Sequence, residues 1–479
     1  MATAAAPALS SRTERMLTGP IVPTLLALAS PTLVVLTLQA SLNVLELSFI
    51  GRLGPDALAG VSLVFPLVML MQTMSAGGMG GGVASAIARA LGGRRQRDAD
   101  RLVLHAVLVA VVMGAAFTTA AFTVGPALYR AMGGTGAALD AAVRYSGVIF
   151  GGAVLVWLLN TLSAAVRGTG NMLVPAAVVV ASSLVFVPLA PALIFGWGPF
   201  PRLGVTGGAV ALLAVHALGS VALAAFLMSG AALVRPSVRG FRVDPRLVGD
   251  ILRVGAPASL NTVLTNLTLA IVTGLVGRFG TQAVAGYGIG SRLEYLQIPL
   301  VFGIGSALVT MVGTNAGAGQ HARARRIAWT GAALAVVVTE TLGLVAALVP
   351  GVWLGLFTTQ PDVLAVGTRY LRTVGPTYGF FGLGLALYFA AQGAGRLLWP
   401  LVGGVLRFAV ATLGGALVVA SGAGLGALFA VMAAALVVLG STLAAGQLAH
   451  RLPSDRCSTA GSSSRARSSR TSCPTASSP

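Results

Sequence analysis

The sequence predicts an all-α integral membrane protein with twelve transmembrane helices, arranged as two six-helix bundles related by an internal repeat. Three observations carry that prediction. The 479 residues are 56% hydrophobic and 9% charged, with a mean hydropathy of +0.88, whereas a soluble domain carries about 25% charged residues. Twelve apolar segments are long enough to cross a bilayer, which takes a helix of about 20 residues. Finally, the string at 50–60, Ile-Gly-Arg-Leu-Gly-Pro-Asp-Ala-Leu-Ala-Gly, returns at 276–286 as Val-Gly-Arg-Phe-Gly-Thr-Gln-Ala-Val-Ala-Gly.

The first six apolar segments lie near 21–50, 57–82, 102–125, 141–164, 172–196 and 206–230. The second six lie near 250–276, 285–312, 327–350, 371–392, 398–420 and 425–449. A membrane barrel would instead show short alternating strands. The division that follows is an N-terminal tail (1–20), a bundle (21–230), a basic linker (231–250), a second bundle (251–450) and a tail (451–479). That last tail is Ser-, Thr- and Arg-rich with few large apolar residues, a composition that predicts disorder. Gly and Ala recur throughout the apolar segments, and small residues let membrane helices approach closely.

The formal net charge of +19 does not point to nucleic acid. Every basic residue is Arg, mostly in short loops, and no basic helix or aromatic-interleaved patch appears. With the N-terminus cytoplasmic, 22 arginines fall in inside loops and tails, 7 outside, and 2 (Arg292 and Arg407) within spans. The positive-inside rule then places both termini in the cytoplasm of a multi-pass cell-membrane protein. Cys457 and Cys473 lie in the polar tail and make no disulfide framework. The polar stretch 1–20 leads into a full-length span rather than a cleavable signal.

The repeat keeps its register over four landmarks. Pro31 pairs with Pro257 at the same offset as the two Gly-Arg strings. One position short of that offset, Arg167-Gly168-Thr169-Gly170 with Pro175 pairs with Gln392-Gly393-Ala394-Gly395 with Pro400. Such duplication builds transporters with a site between the halves; six spans per copy give both copies one orientation, related by an axis along the membrane normal.

The duplicated Gly-Arg-x-Gly-x-x-Ala-x-Ala-Gly string resembles the signature of the multidrug and toxic compound extrusion (MATE) family. Further matches follow in order: Leu193-Ile194-Phe195-Gly196, Arg202-Leu203-Gly204-Val205-Thr206-Gly207-Gly208-Ala209, Ser291-Arg292-Leu293-Glu294, and Gly313-Thr314-Asn315-Ala316-Gly317-Ala318-Gly319. The resemblance spans about 20–450 and is nearest the DinF-like prokaryotic branch. It implies two six-helix bundles around a central cavity, and export of organic, often cationic, compounds by a functional monomer. Inward proton or sodium flow would drive export, with no cofactor, no metal and no enzymatic reaction.

An ionisable side chain inside a span is costly and therefore a functional candidate. Glu46 is the sharpest. With Gln39 and Asn43 it stands at i, i+4 and i+7, one polar stripe that should face the interior of the N-terminal bundle. The resemblance places Glu46 where prokaryotic members carry a cation-coupling Asp. Two further acceptors of the DinF-like pattern, an Asn and an Asp before Pro191, are here Phe186 and Ala190. That loss of hard oxygen ligands favours protons over sodium as the coupling ion. The repeat partner of Glu46 is Val272.

Glu340, mid-span in the ninth segment, is a second ionisable candidate or a recognition charge for cationic substrates; its structural alternative is a hydrogen-bonded carboxyl. Glu294 and Arg292 follow the family pattern but stand two positions apart, on different faces, and a structural or gating role is favoured. The seventh segment offers a neutral polar face with Asn261, Thr265 and Asn266. Together with Tyr378, Tyr388 and Gln392 it is a candidate lining for the substrate cavity. His105 and His216 are read as packing residues. The glycine run 77–82 has no Lys after it and follows a helix, so close packing or a bend explains it better than a phosphate loop. The runner-up function is a flippase for a lipid-linked or polysaccharide precursor, which would want several basic residues in its cavity. A membrane enzyme would need paired acids or a metal cluster, and the sequence shows neither.

Overall fold

The computed structural model describes residues 11–449; the predicted tail at 451–479, with both cysteines, lies outside them. Among the described residues eleven helices are long and apolar enough to cross a membrane, and a bent pair, Gly136–Gly151 and Ala153–Gly168 (46°), taken as one span, gives twelve. The first to sixth spans are Ile21–Gly51, Pro55–Gly92, Gln96–Ala131, the bent pair, Leu173–Phe195 and Val205–Met228. The seventh to twelfth are Pro245–Gly277, Thr281–Gly317, His321–Leu348, Pro361–Ala394, Leu398–Ala420 and Leu425–Ala449.

The repeat is visible in backbone geometry. Gly54 and Gly280, the last glycines before the second and eighth spans, have φ of 114° and 103°. Gly170 and Gly395 pair in the same way at 81° and 72°. These positive-φ turns exclude most side chains, which accounts for glycine at both members of each pair. Pro31 and Pro257 lie inside the first and seventh spans, so each copy gives up a helical hydrogen bond at the same place.

The halves meet at their arginine-rich ends. The glycine run of the second span forms a π-turn, Met74–Met79, and then lies directly on the second half. A Cβ on Gly78 would sit 2.8 Å from the Ser259 hydroxyl, and one on Gly82 would sit 2.8 Å from the backbone of Ile251 and Gly255. Gln392 donates to Gly77 O at 2.9 Å, Ser85 to Gly393 O at 3.0 Å, and Thr310 to Arg167 O at 3.1 Å. Ser306 donates to Thr32 at 3.3 Å. These side-chain hydrogen bonds between the halves all belong to the arginine-rich side of the molecule. At the other end most positions in the outer stretches of the first and seventh spans are half-buried or exposed, and among the described residues these two spans make no extensive packing contact with each other. The arrangement is closed at the arginine-rich end and open at the opposite one.

One boundary differs from the sequence reading, and the N-terminal tail, whose boundary agrees, carries structure of its own. Part of the predicted N-terminal tail forms a helix, Ser11–Thr18, whose Met16 is buried and accepts from Asn315 Nδ2 at 3.0 Å through its carbonyl. Met16 and Leu17 are both buried, so this helix docks rather than trails. The predicted linker 231–250 is shorter, because the seventh span opens at Pro245. Asp244 caps it by accepting from Arg246 N at 3.0 Å, and Pro at the first helical position suits a helix start.

Candidate functional site

Glu46 lies near the open end of the first span and is 7% exposed. Tyr145, in the fourth span, donates its hydroxyl to Glu46 Oε1 at 2.8 Å. On the other side stands Gly208 of the sixth span, where even a Cβ would come within 3.2 Å of the same oxygen. Three spans therefore converge on one carboxyl, and glycine leaves the room for it. Phe186 and Ala190 of the fifth span, at the places where the DinF-like pattern has acceptors, are buried apolar residues.

The polar stripe does not behave as one surface. Glu46 is buried, but Gln39 and Asn43 are exposed, so the expectation that all three face the bundle interior is corrected. Gln39 lies two turns beyond Thr32 on the same helical face. Thr32 touches the eighth span through Ser306, and beyond that contact the halves have separated. Gln39 and Asn43 are exposed, while Tyr145 and Gly208 close over Glu46.

About 12 Å deeper along the sixth span, at 1.5 Å per residue from Gly208 to His216, lies a second polar group that sequence reasoning missed. Asn160 donates to Gln72 Oε1 at 3.2 Å and to Ser75 Oγ at 2.8 Å. Gln72 Nε2 faces His216 Nε2 at 3.5 Å, and His216 Nδ1 lies 2.8 Å from Leu212 O. The π-turn at 74–79 supplies Ser75 to this network, and such turns often mark functional positions in helices. Reading His216 as a packing residue misses the network, because periodicity along one helix does not reveal partners on two others.

In the second half the counterpart is Glu294. Its carboxylate accepts from Tyr370, the repeat partner of Tyr145 in the register that also pairs Gly170 with Gly395. Tyr287 packs edge-on against Tyr370 with centroids 5.4 Å apart, and Arg407 of the eleventh span lies within electrostatic reach of Glu294. Arg292 turns elsewhere, its guanidinium 5.5 Å from the Phe357 ring centroid.

Glu340 has a different use. Its Oε2 accepts from the backbone N–H of Gly379 at 2.6 Å, at the point where the tenth span restarts after the 3₁₀ turn Gly375–Thr377. A helix restart exposes unpaired N–H groups, and Glu340 satisfies one of them from a neighbouring span.

Three of the proposed cavity residues are buried in packing contacts in this arrangement. Tyr378 and Gln392 are 0% exposed and Tyr388 is 7% exposed. Tyr378 packs with Tyr370 and Phe429 in the second-half core, and Gln392 cross-links the halves through Gly77. Their depth is invisible in the sequence because aromatic and amide residues in a tenth span suit a core and a cavity equally. The void beside Gln392 is about 20 Å³, room for a water and not for a substrate. In the seventh span Thr265 is exposed, and Asn261 and Asn266 are half-buried. Thr265 donates to Asn261 O and Asn266 to Thr262 O, both at 2.9 Å, which returns the side-chain donors of Thr265 and Asn266 to their own helix.

Residues 31–192 and 257–418 each match the MatE family model. The chain belongs to the MATE family. The two matched segments coincide with the two halves of the repeat, so duplication and family membership are one fact. The MATE chain is 27% identical over 408 residues to the FAD transporter of Shewanella oneidensis, covering 83% of this chain and 88% of that one. It is 26% identical over 377 residues to the probable multidrug resistance protein YoeA of Bacillus subtilis, covering 78% and 81%. Among solved structures it resembles a MATE protein in its bent conformation, with a TM-score of 0.82 at 23% identity, covering 95% of this chain and 100% of that one. This MATE protein is a multi-pass membrane transporter of small compounds and not an enzyme.

Proposed function

We propose that this MATE protein is a cell-membrane antiporter, working as a monomer, that exports small organic cations by alternating access in exchange for protons, with Glu46 as the coupling group. The arginine distribution supports cytoplasmic termini, so the closed, arginine-rich end faces the cytoplasm and the open end faces outward. The observation that carries the proposal is the burial of Glu46 against a single hydroxyl, with Phe186 and Ala190 where further oxygen ligands would stand. A carboxyl out of water is a natural proton carrier, whereas sodium wants several hard oxygens. In this reading the exposed Gln39 and Asn43 would meet a substrate on its way out, with the neutral face of Asn261, Thr265 and Asn266 on the second half.

The test is substrate-driven proton and sodium flux in proteoliposomes, comparing wild type with Glu46→Gln. Proton-coupled export should fall by at least about tenfold, the equivalent of roughly 1.4 kcal/mol of lost coupling. Undiminished export that still follows the pH gradient would eliminate Glu46; a response to the sodium gradient alone would reverse the ion assignment.

A further inference from the structure

The repeat also exposes a difference at the arginine-rich end of the two bundles. In the first half, the third span opens at Gln96 and holds the chain that follows the sixth span. Gln96 donates to Leu233 O at 2.8 Å, and Asp100 accepts from Arg235 N at 2.8 Å. Val234, between them, is 0% exposed. In the second half the ninth span opens at His321, the repeat partner of Gln96, and in the same register the partners of Asp98 and Asp100 are Arg323 and Arg325. Where the first half carries acids, one of them holding a backbone N–H, the second carries bases.

At that place the second half has a cavity of about 420 Å³, within the range of small-molecule sites. The ninth and twelfth spans flank it, both packed on the tenth, and the start of the eleventh covers it. Arg89, His321, Arg325, Arg396, Trp399 and Gln447 contribute to its wall, and every ionisable residue lining it is basic. Arg89 is engaged with Ser85 and the Gly393 carbonyl; the exposed Arg396 stands at the mouth, on the same wall as Arg325. Deeper in, the wall is apolar, with Leu387, Ala328 and Leu443; Leu387 lies about 10 Å below the end of the tenth span at 1.5 Å per residue.

We infer that this cavity binds the phosphate-bearing headgroup of an anionic lipid, with the start of an acyl chain against its apolar depth. Arginine forks match phosphate oxygens, tryptophan favours the headgroup level, and basic pockets between membrane helices are suited to anionic headgroups. The chain's own C-terminal tail is a poor occupant, since it brings five arginines and one aspartate to a basic wall.

The test uses the purified full-length protein in phosphatidylcholine nanodiscs, with phosphatidylglycerol or inorganic phosphate added. Phosphatidylglycerol should raise the thermal unfolding midpoint of wild type, and native mass spectrometry should show it retained over phosphatidylcholine. The double variant Arg325→Asp, Arg396→Gln should keep the phosphatidylcholine midpoint and lose about tenfold in phosphatidylglycerol affinity, the loss of roughly one charge-assisted contact. If that variant does not fold, Arg396→Gln alone carries the same comparison. Equal stabilisation by inorganic phosphate overturns the lipid assignment in favour of a soluble anion, and wild-type indifference to phosphatidylglycerol overturns the site.

Discussion

Each half sets one glutamate beneath the same tyrosine of the repeat, buried in the first half and half-buried in the second, and the two take the acid from different helices. Tyr145 meets Glu46 of the first span, whereas Tyr370 meets Glu294 of the eighth, the second span of its copy. In the second half Arg407 and a ring of tyrosines surround the carboxylate, so its charge has a resident counter-charge. In the first half the Glu46 carboxyl accepts from a hydroxyl and is bounded by glycine and apolar groups. Among the described residues no basic side chain is paired with it. Duplication supplied one tyrosine scaffold twice; in the proposed mechanism one copy serves as the ion site and the other as a structural clamp.

The sharpest way to break this comparison is to neutralise the second acid. Glu294→Gln should leave proton-coupled flux within about twofold of wild type, since a structural residue carries no coupling free energy. A collapse of coupling in that variant, measured beside Glu46→Gln, would make the halves functional equals. The tyrosines give a smaller, finer test. Tyr370→Phe should lower stability by about 1 kcal/mol, typical of a hydrogen bond between membrane helices, with transport nearly unchanged. Tyr145→Phe should instead shift the pH dependence of transport, read from initial rates across a pH series. A stability effect of the same size belongs to Glu340→Leu, which removes a helix-start acceptor and should cost about 1 kcal/mol, read as a lower unfolding midpoint; abolished transport with an unchanged midpoint would restore Glu340 as a charge-bearing site.

The span number, the duplication and the family were legible in the sequence, because each is written in one-dimensional form. Hydropathy over about 20 residues marks a crossing, and a fixed offset marks a copy. Glu46 was legible for a related reason: a carboxyl in an apolar helix stands out wherever it points. Its partners were not, since Tyr145 and Gly208 are distant from it in sequence, and the string that holds Gly208 does not say what that glycine faces. The glycine run showed that something packs closely, but not that Ile251, Gly255, Ser259 and Gln392 of the other half are what it meets. The Tyr145–Tyr370 pair lay in plain sight at the repeat offset, and its meaning needed the acids beside it.

The sequence by itself therefore determined the solvent, the twofold plan and the costly charge, properties fixed by local composition and periodicity. The tertiary structure decided which end is closed, which polar residues share a site, and which half of a near-symmetric molecule keeps its carboxyl without a resident cation. Those depend on contacts between helices far apart in the chain, where a single glycine or tyrosine settles what a buried acid can touch.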